Sequence, residues 1–158
     1  MSLYGGYNLA YQGRFSGGKI EGTVPAYIKK AGDDNFMPVI MMGETFVGCT
    51  SLTTAPTIPS SVIYMVSTFA ECTSLTTAPS IPNSVTDLTR CFANCTSLTI
   101  APELWKRVTT DTTTYKGTPV GNGCFEGCTS ASNKDDIPEY WKTYEELIIG
   151  GKEPFEKK

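Results

Sequence analysis

Phe69-Ala70-Glu71-Cys72-Thr73-Ser74-Leu75-Thr76-Thr77-Ala78-Pro79 decides the fold, because the chain repeats it. Residues 46–56 carry an earlier copy, residues 92–102 a later one, and residues 125–130 begin a fourth that decays. Phe46, Phe69 and Phe92 stand 23 residues apart, and Phe125 follows Phe92 by 33. A fixed period in the twenties marks a solenoid, in which one repeat cannot bury its apolar face alone and stacked repeats bury a continuous one.

Aligning the copies gives each position a task. Val39, Val62 and Val85 fall in one column, Met42, Met65 and Leu88 in a second, and Phe46, Phe69 and Phe92 in a third. Cys49, Cys72, Cys95 and Cys128 follow, then Leu52, Leu75 and Leu98, then Ala55, Ala78 and Ala101 with the prolines after them. Ile58, Ile81, Leu104 and Ile137 close the set. Apolar identity in register predicts a shared core. Within a repeat, the β-branched run 62–65 predicts a strand. The apolar spacing over 65–72 predicts one or two helical turns. Residues 75–79 are extended before proline, and Pro56 with Pro59, and Pro79 with Pro82, make corners.

The pattern Phe-x-x-Cys-Thr-Ser-Leu-Thr-x-Ala-Pro, followed by Ile-Pro-x-Ser-Val, resembles the BspA-like leucine-rich repeats of bacterial surface proteins. The resemblance covers residues 38–104 well and 118–138 weakly. Alanine-proline stands where many members carry β-branched residues, and the last interval is long. What the resemblance implies is a curved leucine-rich-repeat solenoid, extracellular or on the cell surface, serving adhesion or host interaction. It offers no catalytic residues to carry over.

The resulting expectation is one structural domain of the α/β class, β-dominated with short helical turns, built from about four 23-residue repeats. Residues 1–37 form an N-terminal cap or lead, 38–138 the repeats with an insertion at 103–123, and 139–158 a C-terminal capping helix and tail. In the lead, Tyr4, Tyr7 and Tyr11 belong to a cap, with a ligand-stacking patch as the alternative. Residues 19–30 alternate partly and suggest a strand that Pro25 places at an edge. Gly32-Asp33-Asp34-Asn35 reads as a turn, since a calcium loop needs a further liganding carboxylate. At the other end Asp135 or Asp136 is expected to cap a helix. Tyr140, Trp141, Tyr144, Leu147 and Ile148 would form its apolar stripe, ended by Gly150-Gly151.

Composition limits the function. Charged residues make up 18% of 158, below the usual quarter. With a net charge of −3, nothing invites nucleic acid or anionic lipid. No apolar run approaches the roughly 18 residues of a membrane span, and the N-terminus lacks the features of a secretory signal. Histidine is absent, which removes the commonest general base and metal ligand together. No enzyme, cofactor or metal is therefore expected, and metal binding by Cys91, Cys95, Cys124 and Cys128 conflicts with the packing role of the cysteine column. Cys91 and Cys124 occupy a different column, where Thr45 and Thr68 stand in the first two repeats. Adjacent repeats would bring them within disulfide reach, so a Cys91–Cys124 bridge is a candidate.

The functional expectation is a binding or adhesion module for a protein or glycan. Its candidate surfaces are the insertion, with Trp105 and Tyr115, and the recurring Thr53, Thr76 and Thr99. The alternative is a structural spacer within a larger surface or phage protein, the threonines then serving strand propensity alone.

Overall fold

The computed structural model describes residues 39–107 and 119–144, together with four short strands nearer the N-terminus. Strand β1 (Ser2–Leu3) pairs antiparallel with β2 (Gly6–Tyr7), and β3 (Tyr27–Lys29) pairs antiparallel with β4 (Phe36–Pro38). Of the strand expected over 19–30, β3 is the described part. The turn at 32–35, Tyr4, Tyr11 and Pro25 lie outside the described residues.

From residue 39 the chain runs through four coils, the first three beginning at residues 39, 62 and 85 and the fourth described from residue 119. They lie side by side. Met41, Tyr64, Asp87 and Val120 form one row of parallel bridges, and Thr54 with Thr77 another. The bridges are single residues, so the strand expected over 62–65 narrows to Tyr64.

Every second amide of the segment after this row crosses to the next coil. Met42, Glu44, Phe46 and Gly48 donate to the carbonyls of Tyr64, Val66, Thr68 and Ala70 at 2.9–3.0 Å. Met65, Ser67, Phe69 and Glu71 donate likewise to Asp87, Thr89, Cys91 and Ala93. Leu88, Arg90, Phe92 and Asn94 donate to Val120, Asn122, Cys124 and Glu126. The same four bonds thus span the 33-residue interval and the 23-residue ones. The intervening amides fold back three residues: Thr45 to Met42, Val47 to Glu44, Cys49 to Phe46.

This alternation corrects the helical turns expected over 65–72. An α-helix needs successive amides bonded along its own axis, and here half of them are committed across the stack. Two residues per coil take the left-handed region: Glu44 and Gly48, Ser67 and Glu71, Arg90 and Asn94, Gly123 and Gly127. The segment is a run of tight turns that reverses hand around each phenylalanine.

The core lies inside these turns. Phe46, Phe69, Phe92 and Phe125 are buried and stack face to face, with centroids 5.2, 5.5 and 5.7 Å apart and planes within 9° of parallel. The columns of Val39, Met42, Leu52 and Ile58 are buried around them. Truncating one such phenylalanine to alanine costs about 3–5 kcal/mol. The thiols of Cys72, Cys95 and Cys128 each donate to the carbonyl of the phenylalanine one coil back, Phe46, Phe69 and Phe92, at 3.1 Å. Those carbonyls also accept the cysteine amide of their own coil.

The C-terminal segment takes the place of a fifth coil. Gly123 and Phe125 donate to the carbonyls of Tyr140 and Trp141, and the Trp141 ring stacks on Phe125 at 6.2 Å and 23°. Helix α1 is short, Glu139–Lys142, and its N-cap is Pro138 with no side-chain bond. Asp135 and Asp136 lie in a 3-10 turn, Lys134–Asp136, so neither is the cap. Thr143 is extended, which places Tyr144 beyond the helix, while Leu147 and Ile148 lie outside the described residues.

Candidate functional site

Each coil has two unlike sides. The turn side carries the left-handed residues and the charges: Glu44 and Glu71 are exposed, and Arg90 and Glu126 are half-buried and paired at 3.2 Å. The opposite side follows the cysteine column and reads Thr-Ser-Leu-Thr-Thr in the first two coils and Thr-Ser-Leu-Thr-Ile in the third. Residues 45–70, 72–86, 91–102 and 127–133 contain no charged side chain, so this side carries no charge over its first three coils, and on the fourth the Lys134 ammonium reaches the carbonyl of Thr129.

Why it lies open follows from the spacing. Leu52, Leu75 and Leu98 are buried, and extended backbone alternates its side chains, so the residues flanking each leucine face outward. Thr53, Thr76 and Thr99 are exposed. The amides of Thr76, Thr99 and Ser132 donate to the carbonyls of Thr53, Thr76 and Thr99, which fixes the row in register. The hydroxyls of Thr76 and Thr99 donate to the same carbonyls of the preceding coil, at 3.5 and 3.0 Å. Ser97 repeats the device with the carbonyl of Thr73. A hydroxyl whose proton points back along the stack offers its two lone pairs to solvent. The result is a row of exposed hydroxyls, with that of Thr99 oriented by the backbone behind it, on a face uncharged over its first three coils.

Ile100 stands beside Thr99, where the first two coils have Thr54 and Thr77, and is 55% exposed. Column reading missed it because it counts only positions that repeat. Behind it, Asn133 clasps Ala101 with both ends of its amide, each bond 2.9 Å, in place of a strand pair.

The insertion is less open than its sequence suggests. A 3-10 turn, Leu104–Lys106, buries Leu104 and turns Trp105 inward, half-buried, edge-on to Phe125 at 5.9 Å and inclined at 65° to Trp141 at 6.4 Å. Arg107 donates to the carbonyls of Ile81 and Pro82. The chain is back in register by Val120. Trp105 therefore belongs to the covered end of the core and does not stand with the exposed threonines, the aromatic spacing alone having given no sign of its direction. Tyr115 lies outside the described residues.

Cys91 and Cys124 are buried free thiols on adjacent coils, with Phe92 donating to the carbonyl of Cys124 beside them. Burial pushes the Cys72 and Cys128 thiols up to about 12 and raises Cys91, Cys95 and Cys124 as well. A thiol held protonated in this way is a poor nucleophile. Among the described residues, no three His, Cys, Asp or Glu side chains are arranged to hold a metal ion, and no helix is long and apolar enough to cross a membrane. A depression of about 230 Å³ opens at the C-terminal end, lined by residues including Phe125, Cys128, Thr129, Lys134 and Lys142. Its lysines are engaged, Lys134 with the carbonyl of Thr129 and Lys142 with Glu139. Neither a family model, nor a curated protein, nor a solved structure matches the chain.

Proposed function

We propose that the chain is a leucine-rich-repeat-like solenoid acting as a binding module of a bacterial surface, which engages a protein or glycan through the threonine face. The observation that carries this reading is the register of Thr53, Thr76 and Thr99: exposed, uncharged, and tied amide to carbonyl from coil to coil. Rows of side chains held at fixed spacing bind with little further loss of rotamer freedom. The reading includes no catalysis. It is supported by the lack of histidine and by thiols that burial keeps protonated.

The spacer reading draws on a different observation. The hydroxyls of Thr76 and Thr99 already bond to the backbone, as they would if the threonines served only to tie one coil to the next. The two readings separate on a screen of the folded chain against matrix proteins and glycans. A ligand that is lost on replacing Thr53, Thr76 and Thr99 with glutamate, in a protein that still melts cooperatively, supports the binding module. A screen that yields no ligand supports the spacer.

A further inference from the structure

We infer that Asn122-Gly123 is a self-modification site, held shut by residues 140–144 and opened when that segment lifts from the fourth coil. Earlier coils place Gly43-Glu44, Val66-Ser67 and Thr89-Arg90 at these two positions, so only the coil beneath the cover carries the reactive pair. The cover itself accounts for the glycine. A methyl group at residue 123 would lie 2.7 Å from Cβ of Tyr144 and 2.9 Å from its Cα, and the backbone there has φ 65°.

The chemistry is that of asparagine before glycine. The Gly123 amide nitrogen gives up its proton and attacks Cγ of the Asn122 side chain. The side-chain nitrogen leaves as ammonia, carrying that proton. Water then opens the five-membered imide at either carbonyl, leaving aspartate at residue 122, or isoaspartate with the main chain routed through the side-chain carbon. Water is the only co-reactant. Glycine favours the closure because no Cβ crowds the attacking nitrogen.

Three features of the folded chain oppose it. The Gly123 amide donates to the carbonyl of Tyr140 at 3.0 Å, so the proton that must leave is engaged. Asn122 is only 4% exposed, which keeps water from the imide. Its carbonyl accepts the Arg90 amide at 3.0 Å, which pins the backbone against the rotation that ring closure needs. The first bond belongs to the terminal segment, and Tyr144 lies directly against Gly123, so lifting residues 140–144 frees the nitrogen and admits water together. A terminal segment with a four-residue helix opens at lower free energy than the coils beneath it.

The change runs one way. Isoaspartate adds one atom to the main chain between residues 122 and 123, which takes the Gly123 and Phe125 amides out of register with Tyr140 and Trp141. Aspartate places a charge where the cover would bury it. A molecule that has shed its cover for long enough is thereby kept from regaining it.

The test follows conversion at each asparagine by peptide mapping of the full chain held at neutral pH, with fully unfolded chain in urea as the upper reference. Asn94 is the internal control, because its following amide, that of Cys95, is bonded within its own coil to Phe92. Trp141→Ala loosens the cover and should speed conversion at Asn122 about ten- to a hundredfold while leaving Asn94 unchanged. Should that variant fail to fold, wild type in urea below its unfolding transition gives the same reading, with Asn122 converting ahead of Asn94. Asn122→Asp, which imitates one product, should shift the tryptophan emission to the red. Equal rates at Asn122 in wild type and Trp141→Ala, conversion of Asn122 and Asn94 in step, or an Asn122→Asp variant with wild-type emission overturns the inference.

Discussion

Gly121→Ala isolates the junction between the stack and its terminal cover. An ideal methyl group at residue 121 would lie 2.3 Å from Cε3 and Cζ3 of Trp141, closer than any real contact. Gly121 is outside the left-handed region that Gly123 and Gly127 occupy, so alanine is acceptable to its backbone and the indole is the nearest obstacle. The ring must move off Phe125. Overpacking of a core costs about 1–3 kcal/mol, and removing a buried tryptophan about 3–5, so the substitution should cost about 3 kcal/mol. For a chain of this size that lowers the melting temperature by roughly 6–12 °C. The assay has a local reporter: the only two tryptophans, Trp105 and Trp141, lie 6.4 Å apart at this end. Their emission should shift to the red in Gly121→Ala before global unfolding. In a Trp141→Ala background the obstacle is gone, and Gly121→Ala should then cost little, a coupling of about 2 kcal/mol or more. Equal destabilisation by Gly121→Ala in both backgrounds would refute the idea that Trp141 closes the stack.

The buried thiols make the fold sensitive to alkali. Burial raises Cys72, Cys91, Cys95, Cys124 and Cys128 above the ordinary value of 9.0, so the fold retains protons that the unfolded chain releases. Their contribution is complete below pH 9 and is lost as pH climbs toward the folded values. At about pH 10 each thiol withdraws on the order of 1 kcal/mol, so the loss is large enough to read in a denaturant titration. Urea titrations under reducing conditions should show this fall, and a flat profile to pH 10.5 would contradict it. Cys91→Thr with Cys124→Thr restores the residue that the column holds at Thr45 and Thr68, so the double variant should fold and lose about two-fifths of the alkaline slope. Under an oxidised low-molecular-weight disulfide applied during refolding, peptide mapping tests the Cys91–Cys124 bridge, and recovery of both as free thiols removes it. Glu71→Gly relieves a side chain held at φ 62°, in a column that already contains Gly48 and Gly127. It should stabilise by up to about 1 kcal/mol, while Gly48→Ala, whose methyl would meet no atom, should destabilise by about 1–2 through φ alone; chemical denaturation reads both.

The inward columns were legible because burial selects residue type directly: valine, phenylalanine, leucine and isoleucine recur at a fixed interval and lie at 5% exposure or less. The local path between them was not legible. Apolar spacing over 65–72 is shared by a helix and by a run of turns, and what separates the two is the direction of alternate amides, which no side chain records. Left-handed geometry falls on Glu44, Ser67, Glu71, Arg90 and Asn94, residues that name no conformation by themselves. Of the candidate face, Thr53, Thr76 and Thr99 could be read because they repeat. Trp105 and Asn133 could not, because each does its work once, against partners 20 and 32 residues away, and Ile100 could not because it departs from its column.

A coil that donates through every second amide leaves the next coil's edge ready to receive another, as any unpaired strand does. Nothing in such a rule limits how far it runs. The limit is set by the segment that follows Pro138, where Tyr140 and Trp141 accept the last two crossing amides and Glu126 receives the amide of Tyr144. Arg90 lies over the Tyr144 ring at 4.8 Å and pairs with that same Glu126. The indole, carried on the short helix, continues the aromatic column by one ring, and the backbone leaves that helix extended at Thr143. Termination is thus written as mimicry: among the described residues, the segment satisfies the copying rule once and then departs from it. Without it, the last coil of one molecule would be a fitting seat for the first coil of another.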